Sequence, residues 1–170
     1  QCVASEYAGS DGPVAISGGN NMRNPLYRAF IDAGVEAGYA ETEDYNGFRQ
    51  EGFGQKFMTV DRGVRASTSH AYLNPAKSRR NLTLLKHTMV TRVVFDEKTA
   101  TGIECDVRGK MQMFTARREV ILCAGAIGSP HLLQVSGVGP EKVLQAAGIK
   151  VVHDLPGVGE NLQDHLEFNF

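Results

Sequence analysis

The chain has 170 residues, 42% of them hydrophobic, and a formal net charge of −1. This length suits a single domain, and the balanced, interspersed charges exclude the basic surface that nucleic-acid binding requires. The apolar runs fall far short of the roughly 20 residues of a membrane span, and residues 1–10 do not resemble a signal peptide.

Cysteines and histidines give no sign of a metal site. Cys2, Cys105 and Cys123 form no CxxC pair, and the five histidines show no metal-ligand spacing. Cys105 and Cys123 both fall within predicted strands, where cysteine commonly fills a core. The pattern therefore predicts no metal and a reducing compartment.

The N-terminal part begins with a loop and an edge strand at residues 13–17. Asn24 then caps a predicted helix that opens with Pro25, carries one apolar face and ends near Gly38. Residues 41–54 follow without periodicity and combine three glycines with three aromatic residues. This pattern predicts either a surface loop or the wall of a pocket.

The middle of the chain is rich in β-forming residues. A helix through Tyr72 and Leu73 ends with the help of Pro75. Strands are predicted at residues 81–86 and 89–95. After a turn at residues 96–99, residues 102–107 and 111–116 form a hairpin around Arg108-Gly109-Lys110.

The stretch from Glu119 to Gly139 predicts a strand that leads into a helix. Residues 120–124 are an apolar run suited to a buried strand, which Gly125 ends. Ser129 and Pro130 suit a helix start, and Gly137 suits its end. Such a unit directs free N–H groups at a phosphate or an electron-rich ring, although many α/β proteins bind nothing there.

A second helix is predicted at residues 141–147, with a stop at Gly148, then a strand at residues 149–152 and a glycine-punctuated loop at residues 155–165. The glycine pairs at 137/139 and 157/159 do not complete a GxGxxG fingerprint. The order of a strand, a small antiparallel meander and a buried strand is typical of the FAD-binding domain of glutathione-reductase-like flavoproteins. The predicted fold is α/β, an α+β mix, with part of such a domain and part of a substrate-binding domain.

Two motifs carry a family resemblance. Residues 125–139, GAIGSPHLLQVSGVG, resemble the second signature of the glucose-methanol-choline (GMC) oxidoreductases, and residues 157–165, GVGENLQDH, support the match. The resemblance implies an FAD-dependent oxidoreductase acting on alcohols. It is greatest to the members that oxidise choline to betaine aldehyde, a step of betaine biosynthesis.

The resemblance assigns roles to four residues. Val90 matches a position whose backbone contacts the adenine of FAD, and Ala124 and Gly125 match a strand end packed near the cofactor. Glu167 matches the carboxylate that faces the trimethylammonium group of choline. The GxGxxG turn and the catalytic histidine pair have no match in this chain, so the resemblance implies no catalytic residue here.

Glu167 also suits a cation site on physical grounds. A quaternary ammonium has no N–H to donate, so a protein holds it with a carboxylate and aromatic faces. Glu167 is close in sequence to Phe168 and Phe170. The alternative is a solvent-facing residue of an alternating strand with Phe168 as its buried neighbour.

The resemblance also predicts the organisation of the chain, which begins at Gln1 and ends in an apolar run, as expected of an internal piece of a longer protein. Residues 1–64 would belong to the substrate domain, residues 65–160 to the FAD-binding domain, and residues 161–170 to the return into the substrate domain.

Choline is the implied substrate, and the sequence does not specify the electron acceptor. The implied location is the cytoplasm or the periphery of the inner membrane, with any membrane contact made by other parts of the protein. Two alternatives stay open: a family member acting on a neutral aliphatic or aromatic alcohol, and a fragment that is non-catalytic on its own.

Overall fold

The computed structural model describes residues 6–18 and 21–167. The chain divides into two compact units, Gln1–Leu84 and Leu85–Phe170. Within the described ranges, no helix has the length and apolar character needed to cross a membrane.

The first unit is built on a helix whose ends the sequence predicts correctly. After a 3₁₀ turn at Asn21–Arg23, helix α1 spans Pro25–Glu36, and Asn24 Oδ1 accepts a hydrogen bond from the N–H of Leu26 at 3.0 Å. Gly38 ends the helix with a φ of +92°. The helix buries Ile31 and Gly34.

The predicted apolar face of α1 is largely uncovered. Leu26 is 71% exposed and Phe30 is 53% exposed. What this helix does pack against is the loop at residues 41–54, because the Phe53 ring lies 5.3 Å from the Phe30 ring between centroids. A Cβ at position 34 would lie 2.5 Å from the Phe53 ring, so only glycine fits there.

The loop at residues 41–54 folds back on α1 through Phe53. The N–H of Phe53 donates to the carbonyl of Ala40 and its carbonyl accepts from Thr42, both at 2.8 Å. Its tip extends outward, since Phe48 is 89% exposed. A role for this loop as a pocket wall stays a prediction.

The remainder of the first unit is a short hairpin followed by a helical turn. Strands β1 (Val60–Asp61) and β2 (Val64–Arg65) pair antiparallel. A π-helical turn at Ser69–Leu73 continues into α2 (Asn74–Ala76). Pro75 therefore does not end the helix, because proline is tolerated in the first turn of the α-helical segment that it enters.

The edge strand predicted at residues 13–17 is absent from the described ranges, where Ser17 makes only an isolated antiparallel bridge to Met58. Residues 81–86 also form no strand. β-propensity is present in both segments, but a strand needs a continuous partner, and the described residues do not provide one.

The second unit contains the predicted meander. Strands β3 (Thr88–Asp96), β4 (Thr99–Val107) and β5 (Lys110–Thr115) form an antiparallel sheet in that order. The turn from β4 to β5 places Arg108 and Gly109 at φ values of 54° and 82°. Those values are typical of a two-residue type I′ hairpin, as the sequence predicts.

Two helices and a small parallel pair complete this unit. Helix α3 spans Gly125–Val135, strand β6 (Val138–Gly139) pairs with β7 (His153–Asp154), and α4 spans Glu141–Ala146. Helix α4 and the stop at Gly148, with a φ of 69°, match the prediction. The strand predicted at residues 149–152 is wrong, because the pairing starts at His153.

The core of the second unit is small. It includes Val93, Cys105, Val138, Leu144 and Val158, with Cys105 and Leu144 each 1% exposed. Burial raises the pKa of the Cys105 thiol. The prediction of a core cysteine is thus confirmed for Cys105.

The predicted buried strand at residues 120–124 is wrong. None of these residues is in a strand, Cys123 is exposed, and Ile121 is 72% exposed. A strand of a parallel sheet is buried by neighbours on its edges and faces, and the described residues supply none. The overall class, mixed α/β with an antiparallel sheet, agrees with the prediction, and the comparison with glutathione-reductase-like domains stays a prediction.

Candidate functional site

The predicted cofactor residues Ala124 and Gly125 lie at the start of α3. Gly125 has a φ of +81°, a backbone conformation that favours glycine, and Ala124 precedes the helix. The N–H of Ala124 donates to Ser129 Oγ at 3.0 Å. Together they turn the chain sharply from the irregular residues 120–124 into the helix.

This turn corrects the predicted helix start. Ser129 does not cap α3, because the helix begins four residues earlier, at Gly125. Its hydroxyl instead accepts a hydrogen bond from the N–H of Ala124, the residue just before the helix. Pro130 lies inside the helix. Its missing N–H leaves the carbonyl of Ala126 without that helical hydrogen bond.

A groove of about 740 Å³ lies between the first half of α3 and the loop at residues 159–163. Helix residues on one wall include Ile127 and His131, and loop residues on the other include Asn161 and Leu162. The volume is in the range of small-molecule sites, which run from about 300 to 1,000 Å³.

The loop is attached to α3 by a glutamine. Gln134 Nε2 donates to the carbonyl of Val158 at 3.1 Å. A Cβ at position 159 would lie 2.8 Å from the same nitrogen, and Gly159 has a φ of +88°. The glycine at 159 thus allows both the turn and the close approach of the Gln134 amide.

The end of α3 is attached to the meander by Ser136. Its Oγ accepts from the N–H of Val93 at 2.8 Å and donates to the carbonyl of Leu132 at 2.6 Å. Ser136 is 8% exposed and Val93 is 4% exposed, so this bond is shielded from water. It fixes the helix that begins at Gly125 to the strand that carries Val90.

Val90 is half-buried on β3, opposite Cys105 on β4. The register between β3 and β4 shifts between Val90 and Arg92, which increases the local twist of the strand. Directly after this bulge, both oxygens of Glu104 accept hydrogen bonds from Arg92 at 2.8 Å. The bonds from the Arg92 guanidinium lower the pKa of Glu104.

Glu167 is exposed and lies in an irregular segment. The aromatic neighbours predicted for it, Phe168 and Phe170, lie outside the described residues. Among the residues that the structure describes, no group of histidine, cysteine and carboxylate side chains has the arrangement of a metal site.

The structure places three of the predicted residues in one unit. Ala124 and Gly125 are consecutive, and Val90 belongs to the same unit, attached to their helix through Ser136 and Val93. Glu167 follows the loop that lines the groove. Ser136 and Gln134 are not among the residues predicted from the sequence. Both lie inside the GAIGSPHLLQVSGVG motif, and this membership is the sequence signal that points to them.

The residues at the start of α3 fit one wall of an FAD site. The first turn of α3 has no acidic side chain, so its free N–H groups can face an electron-rich ligand without a competing carboxylate. A side chain at Gly125 would meet nothing within 4 Å, which leaves open space at the turn. The phosphate-binding GxGxxG turn, by contrast, is not among the motifs of this chain.

Comparison with known sequences matches the chain to one family. The family model of the GMC oxidoreductases matches residues 2–167. An oxygen-dependent choline dehydrogenase from Photobacterium profundum is 59% identical over 96% of the chain and 29% of the relative. The corresponding protein from Vibrio vulnificus is 58% identical over 97% of the chain and 30% of the relative.

Solved structures agree with this comparison. Pyridoxine 4-oxidase from Mesorbium loti superimposes with a TM-score of 0.85 at 35% identity, covering 92% of the chain and 31% of the oxidase. A fungal aryl-alcohol oxidase has a TM-score of 0.75 at 32% identity, covering 79% of the chain and 23% of that enzyme. The chain therefore spans less than a third of the length of these relatives.

Proposed function

The chain belongs to the GMC oxidoreductase family, and from that membership we propose that it is part of an FAD-dependent oxidoreductase that oxidises choline to betaine aldehyde. The observation that carries this proposal is the similarity of almost the whole chain to oxygen-dependent choline dehydrogenases. The oxidation of an alcohol carbon needs an acceptor for a hydride, and FAD, when bound, would supply it.

This chain would contribute one wall of the FAD site. We assign residues 65–160 to a glutathione-reductase-like FAD-binding domain, with residues 1–64 and 161–170 in the substrate domain. The backbone of Val90 would contact the adenine, and Ala124 and Gly125 would pack near the cofactor. The Ser136 hydroxyl supports this arrangement because it holds α3 against β3.

Glu167 would provide the negative charge of the substrate site. A carboxylate attracts the trimethylammonium group of choline and does not need it to donate a proton. We place the enzyme in the cytoplasm or at the periphery of the inner membrane.

The test compares choline with its uncharged carbon analogue, in which a tert-butyl group replaces the trimethylammonium group. In the full-length enzyme, Glu167→Gln should raise the KM for choline by at least about tenfold, because the ion-pairing partner is lost. The KM of the variant for the uncharged analogue should stay within about twofold of the wild-type value. Glutamine preserves the shape of the glutamate side chain, and the analogue has no charge for the carboxylate to attract.

A matched control removes an exposed carboxylate elsewhere. Glu36→Gln, at the end of α1, takes away the same charge from an exposed position. It should leave both KM values unchanged. Equal effects of Glu167→Gln on the two substrates, or equal effects of the two variants on choline, would contradict the assignment of a cation site to Glu167.

A second candidate substrate is a neutral aromatic alcohol. The similarity to a fungal aryl-alcohol oxidase favours it. For such an enzyme, the wild-type protein would have a higher kcat/KM for benzyl alcohol than for choline. Glu167→Gln would then leave both values unchanged.

A further inference from the structure

We propose that the outer face of the meander is a methionine-based modification site that reacts with hydrogen peroxide and related hydroperoxides. The outer face is defined by Met89 on β3, Glu104 and Asp106 on β4, and Met111 and Met113 on β5. This proposal does not depend on the proposed function.

The strand register places the three methionines on one face. Met89 is opposite Asp106, and Asp106 is opposite Met111, so these three side chains form one row. Met113 is opposite Glu104 in the next row on the same face, because alternate residues of a strand point to the same side. Met111 and Met113 are therefore neighbours along β5.

All three methionine residues are exposed in the part of the chain that the structure describes. Met89 is 70% exposed, and Met111 and Met113 are each 58% exposed. The solvated face of an antiparallel sheet normally carries polar side chains, as Glu104 and Asp106 do here.

The opposite face of the same sheet holds the core. Val90, Cys105 and Gln112 are cross-strand partners there, and Cys105 is almost fully buried. The sulfur of Cys105 is shielded, and burial raises its pKa, so little of its reactive thiolate is present at neutral pH. The sheet thus separates one buried cysteine from three exposed methionines.

The reaction balances with peroxide as the oxidant. A lone pair of the neutral thioether sulfur attacks one peroxide oxygen, the O–O bond breaks, and the departing hydroxide takes up the proton of the transferred OH to give water. The sulfur loses two electrons and becomes a sulfoxide, and the peroxide is reduced to water. No proton needs to leave the methionine beforehand, so the rate should not depend on pH near neutrality.

Oxidation at this face should leave the fold intact. A sulfoxide in a packed core disrupts it, because an apolar group becomes polar. On the outer face the new S=O group is exposed to water and displaces no core side chain. Methionine sulfoxide reductases should also reach it and restore the thioether.

The test maps oxidation by residue in the full-length protein. After graded hydrogen peroxide, peptide mass spectrometry measures the oxidation rate of each methionine. Met89, Met111 and Met113 should each react at least about fivefold faster than Met58, because susceptibility follows exposure. Met58 is a suitable reference since it is half-buried and both its N–H and its carbonyl are bonded to the backbone of Ser17. Rates equal to that of Met58 would overturn the proposal.

A triple variant, Met89→Leu with Met111→Leu and Met113→Leu, provides the control. It should take up three fewer oxygen atoms at the same peroxide dose and show an unchanged circular dichroism spectrum. Treatment of the oxidised wild type with the two methionine sulfoxide reductases should remove those three oxygens. Loss of the wild-type fold at a dose that the triple variant tolerates would contradict the inference that this face accepts oxidation harmlessly.

Discussion

The bond between Ser136 and Val93 makes a quantitative prediction. Ser136→Ala removes the acceptor that the structure gives to the N–H of Val93, on a residue that is 4% exposed. A buried donor left without a partner costs about 1–3 kcal/mol. The carbonyl of Leu132 keeps a partner, since it also accepts from the N–H of Ser136. The expected loss in the free energy of unfolding is therefore about 2 kcal/mol, or roughly thirtyfold in the folding equilibrium.

Ser129→Ala is the matched control. Its hydroxyl also accepts from a backbone N–H, that of Ala124, but Ala124 is exposed and water can replace the bond. Alanine is also the better helix former, so the net change should be below about 0.5 kcal/mol. Equilibrium urea unfolding measures both variants.

Hydrogen exchange provides the local measurement. The amide of Val93 should exchange at least roughly thirtyfold faster in Ser136→Ala, because it loses its acceptor, whereas amides that exchange only through global unfolding should speed up by no more than the loss in global stability. Equal destabilisation by the two serine substitutions, or an unchanged Val93 amide, would refute the reasoning that burial gives this hydroxyl its importance.

Three further predictions concern a thiol, an ion pair and the cofactor. A thiol reagent should label Cys123 well before Cys105, because Cys105 is buried and the pKa of its thiol is raised above the ordinary 9.0. Peptide mass mapping gives the order of labelling. Labelling of Cys105 before Cys123 would contradict the burial of Cys105. The hydrogen bond from Arg28 lowers the pKa of Glu41 below its ordinary 4.5. The ion pair between Arg28 and Glu41 should thus stabilise the fold fully above pH 4.5. This stabilisation should be lost as the pH falls from 4.5 through the lower pKa that Glu41 has in the folded state. Urea midpoints measured against pH should fall less in Glu41→Gln than in the wild type, and an equal fall in both would contradict the role of this pair. The isolated 170 residues should bind no FAD, since the GxGxxG turn is absent from their sequence; stoichiometric absorbance near about 450 nm would contradict this.

Local chemistry predicts the elements that depend on few neighbours. Asn24 with Pro25 gives the start of α1, and Arg108-Gly109 gives the β4–β5 turn, because each acts through its own backbone. The meander follows from its turns, since hairpin strands find their partner within a few residues. The family motifs likewise identified the start of α3 as part of the candidate site.

Elements that depend on distant partners were not predictable in this way. Residues 120–124 have the composition of a buried strand, but strand formation requires neighbours that composition does not specify. Ser129 and Pro130 have the local chemistry of a helix start, and the turn at Gly125 overrides it. The bond from Val93 to Ser136 joins residues 43 positions apart, and no periodicity reveals it.

The attachment of α3 to β3 also bears on self-association. β3 is an edge strand of its sheet, and an edge strand offers unpaired N–H and carbonyl groups to a strand of another molecule. The Ser136 hydroxyl accepts a hydrogen bond from one of these groups, the N–H of Val93. Residues 149–152 lie across a groove from the same stretch of β3. An incoming strand could not pair continuously past Val93 without displacing the end of the helix. Among the described residues, this hydroxyl therefore makes the β3 edge of the sheet a poor template for continuous pairing with a strand of another molecule.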